Sequence, residues 1–593
     1  MLPPTAEPSR RAFLRTAAAS GVAALAWEPA FRIAAGTVDA VGVHETADAA
    51  GLPPDVPPGL GLYRQAYRNW SGEIRADDLW TCAPRTIAEV VALANWACNN
   101  GWCLRAAGMR HGWAPLTVTP ADDPANLDSR TVLLDFTTHL ARAMVDPGAP
   151  ASVTAQTGIT MDALLAKLEL AGFGVTACPA PGDVTLGGVL AIGGHGTAIP
   201  ADGESPVAGH TYGSLSNLII SLTAVVWDPA QQAYVARTLQ RSDPRAAALL
   251  VHLGRALIVA VTLRVGPVQR LRCVSRTDLA ADTLFAPPAT AGPDSFAALL
   301  RGCGRIETIW LPFTPAPWLK LWSLEPRRPA TSRETDAPYN YPFADAVPEE
   351  LSELLRLLVE GETWVTPLFT GAVYAGFVAG LHATASVDLW GWAKNTQLYV
   401  RPTTLRVTAN GYAVLTTRDR IQHVVSTFYA YLSTTLEQYR VEGRFPINGP
   451  WEVRVTGLDD PADCAVPGAR AAQLSAIRAR ADRAYDTVVW FDVLTLPGTP
   501  DSPRFYAQFE EWILATYQGP DEAVRPEWSK GWAYDGASAW SDDRVLKSVV
   551  PDAYRDGQML GDDWDAALET LDRLDPYRIY TNAFLDRLTP PTR

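Results

Sequence analysis

Apolar residues recur along the chain with two periods, and the switches between them mark out its elements. From Leu79 onward, TCAPRTIAEVVALANWACNNGW reads as the end of a strand followed by a helix, with Pro84 near its start and Ile87, Val90, Val91, Leu93 and Ala94 on one broad face. WCLRAAGMR (102–110) reads as a strand running into a loop, TVLLDFT (131–137) as a buried strand, and TMDALLAKLELAGFGV (160–175) as an amphipathic helix ending at glycine. The β-branched runs LSNLIISLTAVVWDP (215–229) and ALIVAVTLRV (256–265) suit strands of a covered sheet. Past Pro267 the pattern turns to tryptophan-rich alternation. IETIWLPFTPAPWLKLWSL (306–324) reads as a hairpin, EELSELLRLLVEG (349–361) and IQHVVSTFYAYLSTTLEQYR (421–440) as helices, and GWAKNTQLYVR with TLRVTANGYAVLTT as strand-like segments with a turn at Asn410-Gly411. In WEVRVTG a strand puts Trp451, Val453 and Val455 on one face and Glu452, Arg454 and Thr456 on the other. After WSKGWAY, near 528, short helices follow.

Glycine changes this picture at two places. In RAAGMRHG (105–112) a histidine stands between Gly108 and Gly112, on backbone that can come very close to a flat ligand. In GDVTLGGVLAIGGHG (182–196) glycines alternate with Val184, Leu186, Val189 and Ile192, which predicts a buried turn-strand-turn with amides facing a pyrophosphate. The run is not GxGxxG, so it is no nicotinamide-type fingerprint.

At these residues the chain resembles the vanillyl-alcohol-oxidase-type flavoproteins, and most closely their covalent-flavin, class II cholesterol oxidases. AGMRHGWAPLT is similar to the family's flavin-linking segment and PGDVTLGGVLAIGGHGTA to its diphosphate loop. The likeness extends to IETIWLPFT (306–314), WEVRVTGLDDPA (451–462), WFDVLTLPGTP (490–500) and NAFLDRLTP (582–590). It implies an α+β fold: a two-subdomain FAD-binding domain of the PCMH/VAO type plus a mixed α/β substrate cap with a large antiparallel sheet. The expected division is a signal at 1–35, the FAD domain at 60–265, the sterol cap at 266–520, and a segment at 521–593 that returns to the FAD domain.

The resemblance also assigns residues. FAD is expected on Gly108, Met109, Arg110, His111 and Gly112, on Asp183, Thr185, Gly187, Gly188, Gly194, His195 and Gly196, and on Asn582, with His111 bonded to the flavin. A neutral imidazole is a reasonable nucleophile for that bond. Arg110, directly before it, either tunes the flavin or points to solvent. His195 is expected to fix its loop. Cys178 stands near that loop, but its spacing to GGH is much longer than in relatives with a second flavin bond, which argues against one here.

Three charged residues are the catalytic candidates. If the polar face of WEVRVTG lines an apolar cavity, Glu452 and Arg454 must pair, which keeps the glutamate ionised and able to take an alcohol proton while Arg454 stabilises alkoxide character. An ion pair on an exposed strand is the alternative. Glu307, between Ile306 and Ile309, is out of character unless it faces a cavity or the surface. In an apolar setting its pKa would rise, and it could carry a proton from C4 to C6 of a steroid ring.

The expected activity is FAD-dependent oxidation of cholesterol or a similar 3β-hydroxysterol to the 3-ketosteroid with Δ5-to-Δ4 isomerisation, oxygen being reduced to hydrogen peroxide. An alditol or aldonolactone oxidase is the alternative enzyme, disfavoured by an aromatic, aliphatic cap. A non-catalytic sterol- or lipid-binding protein is the alternative of another class.

Composition sets the outer bounds. At 593 residues more than one domain is expected, and 48% hydrophobic content with 20 tryptophans supplies a large core and a wide apolar pocket. A net charge of −14 argues against a nucleic-acid partner. Seven cysteines make no disulfide framework, and no metal-ligand spacing appears. SRRAFLR (9–15), the short apolar run after it and small residues such as Ala34 and Ala35 resemble a twin-arginine signal. The run is too short for a membrane span, so an exported protein, secreted or periplasmic or at the cell surface, is expected.

Overall fold

The computed structural model describes residues 52–120, 130–342, 349–402 and 404–592; the expected export signal lies outside them. Among the described residues the strands form three main sheets. The first holds β1 (Leu62–Arg68), β2 (Arg75–Cys82), β3 (Cys103–Ala106) and β4 (Thr131–Leu134) in the order β1-β2-β4-β3, with β4 parallel to both β2 and β3. The helix Ile87–Asn100 crosses between β2 and β3, as the apolar period predicts. Thr86 caps it by accepting from the Glu89 amide, Gly101 ends it at φ 67°, and Val90, Leu93, Ala94, Trp96 and Ala97 are its buried residues.

The second sheet takes β5 (Ala143–Asp146) and β6 (Ser152–Gln156) and, past the two-residue β7 (Phe173–Gly174), β8 (Ile219–Asp228), β9 (Ala233–Gln240) and β10 (Leu257–Arg264). It is antiparallel in the order β5-β6-β10-β8-β9. β7 pairs with β11 (Gly266–Pro267).

Beyond β11 the chain builds one nine-stranded sheet from β12 (Arg270–Arg276), β13 (Arg305–Trp310), β14 (Trp318–Leu324), β15 (Arg333–Thr335), β16 (Asp388–Trp392), β17 (Thr408–Thr416), β18 (Trp451–Gly457), β19 (Thr487–Thr495) and β20 (Ala523–Pro526). Its order is β15-β16-β12-β14-β13-β18-β19-β17-β20, antiparallel except for β15 with β16. β13 and β14 form the expected hairpin, with Glu307 opposite Lys320. The helix Ile421–Val441 packs on the apolar face of the sheet, where Phe428 stacks on Phe491 at 3.9 Å. Alternation along β18 and β19 leaves the other face to Glu452, Arg454, Trp490 and Asp492. Two smaller sheets and one large, mainly antiparallel sheet are therefore present, as the expected fold requires.

Local expectations fail where glycine was read as punctuation. Asn410-Gly411 is no turn: β17 runs straight through it, paired to β19 with Gly411 opposite Asp492. A Cβ on Gly411 would stand 2.5 Å from Asp492 Oδ1 and 2.6 Å from Lys530 Cγ, so glycine is there for close approach. Likewise 182–196 contains a helix, Leu186–Ala191, rather than a strand, and its buried residues Leu186, Val189 and Leu190 have helical spacing. β20 comes from residues past 520. The helix Thr366–Ala383 carries no Asp, Glu, Lys or Arg and was not read from the sequence; Phe369, Thr370 and Leu381 are buried. With the 3-10 turn before it, it makes the stretch Thr363–Ala383, long and apolar enough to cross a membrane by length and mean hydropathy (1.4) alone.

Candidate active site

Where the glycine loops of the first two sheets meet the polar face of the large one, the chain encloses a cavity of about 420 Å³. Gly108, Met109, Arg110, His111 and Gly112 form one wall, and Thr185, Gly187, Gly188, Gly194, His195 and Gly196 another. Glu307, Glu452 and Arg454 enter from β13 and β18. All but two of the residues singled out by sequence thus meet at one cavity. Asp183 is not on its wall, and one of its carboxylate oxygens is buried without a donor. Asn582 is not on the wall either: its Oδ1 caps the helix Ala583–Leu588 through the Leu585 amide at 2.9 Å, and its Nδ2 donates to Pro115 O at 3.0 Å. Both its polar ends are spent on backbone, so its part is to hold the loop that follows His111.

The turn after β3 aims His111. Arg110 takes φ 60°, rare for a residue with a side chain, and is tied back by donating from Nη1 to Ala66 O at 2.9 Å while its guanidinium lies over Tyr67. His111 stacks on Trp70 at 3.8 Å with Trp113 edge-on, and its Nε2 is buried with no hydrogen-bond partner. Burial, helped by Lys530 and Arg406, lowers its pKa to about 3, so the ring is neutral at physiological pH. A Cβ at Gly108 would stand 2.3 Å from Thr185 Oγ1, so the two loops touch only because Gly108 has no side chain. An orphaned imidazole nitrogen and two glycine-lined walls in contact fit a long, flat ligand.

His195 stacks on Trp490 at 3.7 Å, with Nδ1 2.9 Å from Gly196 O. Burial first, then Arg454, brings its pKa to about 3. That suits a neutral side chain that fixes its loop. Cys178 also lines the cavity; its Sγ is 3.6 Å from Gln397 Oε1, and burial pushes the thiol up to about 12, which keeps it an unreactive thiol. All seven cysteines are free.

The charged face is a network. Arg454 Nη1 lies 3.4 Å from Glu452 and 3.6 Å from Glu307, while its Nη2 donates to Asp492. Lys530 Nζ is 3.4 Å from the same Asp492 oxygen and 4.2 Å from the Trp113 ring centre. Burial raises the pKa of Glu452; Arg454 opposes this, and Glu307 pushes the same way as burial. Pairing with Arg454 thus works against burial at Glu452, and the balance leaves its pKa above the ordinary glutamate value. The surroundings of Glu307 also differ from the apolar setting expected: it is buried against Arg454 and accepts a hydrogen bond from the Tyr399 hydroxyl. Asp492, Glu527, Lys530, Tyr399 and Trp70 were not found by sequence. For Asp492 a signal existed, since a lone charge inside the apolar strand TVVWFDVLT must be buried and paired.

A family model described as "FAD binding domain" matches residues 80–228, and one described as "Cholesterol oxidase, substrate-binding" matches residues 270–590, more than half of the chain. The chain belongs to the cholesterol oxidase family. Among solved structures it is similar to a solvent-stable cholesterol oxidase at 51% identity (TM-score 0.88, 91% of this chain and 100% of the other). It is also similar to the cholesterol oxidase of Brevibacterium sterolicum at 41% identity and to a histidine-to-alanine variant of that enzyme at 40%, each with TM-score 0.88 over 91% of this chain and 99% of the other. No curated protein matches. Within this family's architecture the FAD-binding match runs from the last residues of β2 to the end of β8, and the substrate-binding match takes in the whole nine-stranded sheet. The cofactor is FAD.

Proposed function

We propose that the protein oxidises cholesterol or a similar 3β-hydroxysterol to the 3-ketosteroid, isomerises the Δ5 double bond to Δ4, and reduces oxygen to hydrogen peroxide, with FAD bonded to His111. The carrying observation is the buried Glu307–Arg454–Glu452 network on the wall of a cavity otherwise lined by glycine loops and by side chains such as Val184, Ile192, Trp322, Leu405 and Leu494. The apolar part of this wall suits a sterol ring system better than the many hydroxyls of a polyol.

Bound FAD supplies the acceptor for the alcohol's hydride and the route of its electrons to oxygen. The chain supplies the rest. Trp70 fixes the plane of His111, whose neutral ring offers Nε2 for the bond to the cofactor. Glu452 takes the hydroxyl proton, and Arg454, anchored by Asp492, stabilises alkoxide character on the substrate oxygen. Glu307 accepts the proton at C4 and returns one at C6, with the Tyr399 hydroxyl holding its carboxylate in place. Changing Glu307→Gln is expected to leave ketone formation within about tenfold of the parent while slowing enone appearance about 10²-fold or more, the ordinary worth of a general acid–base; following both products by absorbance and chromatography checks this. Equal slowing of both steps would remove Glu307 from the isomerisation.

The activity itself is tested by incubating the protein with cholesterol in air. One hydrogen peroxide per ketosteroid is expected, and none with an alditol. Peroxide from the alditol and none from cholesterol would overturn the substrate assignment.

SRRAFLR and the apolar run after it support a further proposal, that the protein is exported folded by the twin-arginine route. Changing Arg10 and Arg11 to lysine should retain it in the cytoplasm, as fractionation would show; unchanged export would contradict this.

A further inference from the structure

Asp492, in the middle of β19, and Glu527, just past β20, bring two carboxyl groups together where neither has enough donors. Asp492 is fully buried, and its Oδ2 takes both nearby cations, Arg454 Nη2 and Lys530 Nζ. Its Oδ1 has no donor. Glu527 lines the cavity; its Oε1 accepts from Ser529 Oγ at 3.3 Å, and its Oε2 is buried without a donor. The two residues are neighbours across one glycine: Glu527 N–H donates to Gly411 O at 3.0 Å, and Gly411 is the β17 partner of Asp492. Ionised carboxylates have only acceptors to offer, so no bond joins them unless one oxygen carries a proton.

Charge balance also asks for a proton on the acids of this network. The network contains the acids Glu307, Glu452, Asp492 and Glu527 and the cations Arg454, Lys530 and Lys320, the last fully buried, opposite Glu307 in the β13–β14 ladder and 3.0 Å from the Tyr399 ring centre. His111 and His195 add no charge. Full ionisation of the four acids outnumbers these cations and leaves an uncompensated negative charge inside the protein, which is costly, the more so because burial brings Lys320 down to about 8.

We propose that Asp492 and Glu527 share one proton at neutral pH and that this acid–carboxylate pair is a positioning device for Arg454. Sharing leaves Asp492 with less than a full charge toward the guanidinium, so Arg454 stays available to Glu452 and Glu307. Had both carboxyls ionised, Arg454 would be drawn toward β19 and away from the catalytic glutamate. The titration behaviour agrees: burial and then the Asp492 charge push Glu527 up to about 8 against the pull of Lys530 and Arg454. Burial also pushes Asp492 up, but Lys530, Arg454 and the bond from Glu527 hold it below the ordinary aspartate value. The shared proton stands on these contacts alone; only its consequence for Arg454 rests on the reading of the active site given above.

The test is the carboxylic-acid carbonyl stretch in the infrared spectrum of the holoenzyme without sterol, in water and in deuterium oxide, for the parent, Glu527→Gln and Asp492→Asn. At about pH 6 the parent-minus-Glu527→Gln difference should show a deuterium-sensitive carboxylic-acid band that fades in the parent as pH rises through about 8. The buried Glu510, pushed up to about 7, is present in both proteins and cancels. Asp492→Asn should also lose the band, because Glu527 then ionises beside Lys530 and Arg454, and Glu527→Asp should restore it. A difference spectrum with no carboxylic-acid band, or a parent spectrum with no loss near pH 8 should the variants fail to fold, overturns the proposal. Because no substrate is present, neither outcome depends on which alcohol the enzyme oxidises.

Discussion

Replacing His111 with alanine should yield a yellow protein that gives up all of its flavin when denatured, whereas the parent flavin stays with the polypeptide through acid or detergent. The expectation follows from three features of one side chain. His111 Nε2 is buried without a partner, the ring plane is fixed by Trp70 at 3.8 Å, and burial keeps the imidazole neutral with a pKa of about 3. A protonated imidazole has no lone pair to offer; this one is unprotonated at any pH the fold is expected to meet. The glycine-lined walls remain in the variant, so FAD should still bind. Activity should fall, because the lost bond no longer raises the reduction potential, and for a two-electron couple about 30 mV is worth a factor of ten in equilibrium. Flavin that stays with the denatured variant chain would place the bond elsewhere.

The second large effect is expected at Glu452. Glu452→Gln should slow the anaerobic reduction of the flavin by sterol by about 10² to 10⁴, the usual contribution of a positioned base, while sterol affinity changes little. The glutamine keeps the volume and one acceptor beside Arg454 but cannot take a proton. The parent should also show the sign of its raised pKa: burial lifts Glu452 above the ordinary glutamate range, so the fraction able to act as base, and with it the reduction rate, rises with pH through a limb on the alkaline side of that range. In Glu452→Gln the limb should vanish. A stopped-flow pH series on both proteins checks the two statements together, and an unchanged limb in the variant would assign it to another group.

The sequence carried most of what positions the site and less of what tunes it. The alternation in WEVRVTG put Glu452 and Arg454 on one face, and β18 places them there; Glu307 stood out as an acid in an apolar strand, and it reaches the same arginine. Helical and strand periods located the helices Ile87–Asn100 and Ile421–Val441 and the β13–β14 hairpin because their apolar faces are long and regular. Glycine misled twice, for one reason. A glycine needed for close approach leaves the same mark in a sequence as one needed for a turn, so Gly411, which sits against Asp492 and Lys530 inside a continuous strand, reads as a hairpin tip. The groups that set charge, Asp492, Glu527 and Lys530, come from segments that local pattern does not join. Their meeting depends on the pairing of β17 with both β19 and β20, a fact of tertiary structure alone.

The most direct measurement of the central claim is anaerobic addition of cholesterol to the purified protein while the visible flavin spectrum and the ultraviolet band of a conjugated enone are recorded together. Bleaching of the flavin with one enone formed per flavin is the predicted result, since it requires FAD in the cavity, a sterol within reach of Glu452 and a working Glu307. A flavin that stays oxidised in excess cholesterol would contradict the assignment of this cavity to sterol oxidation.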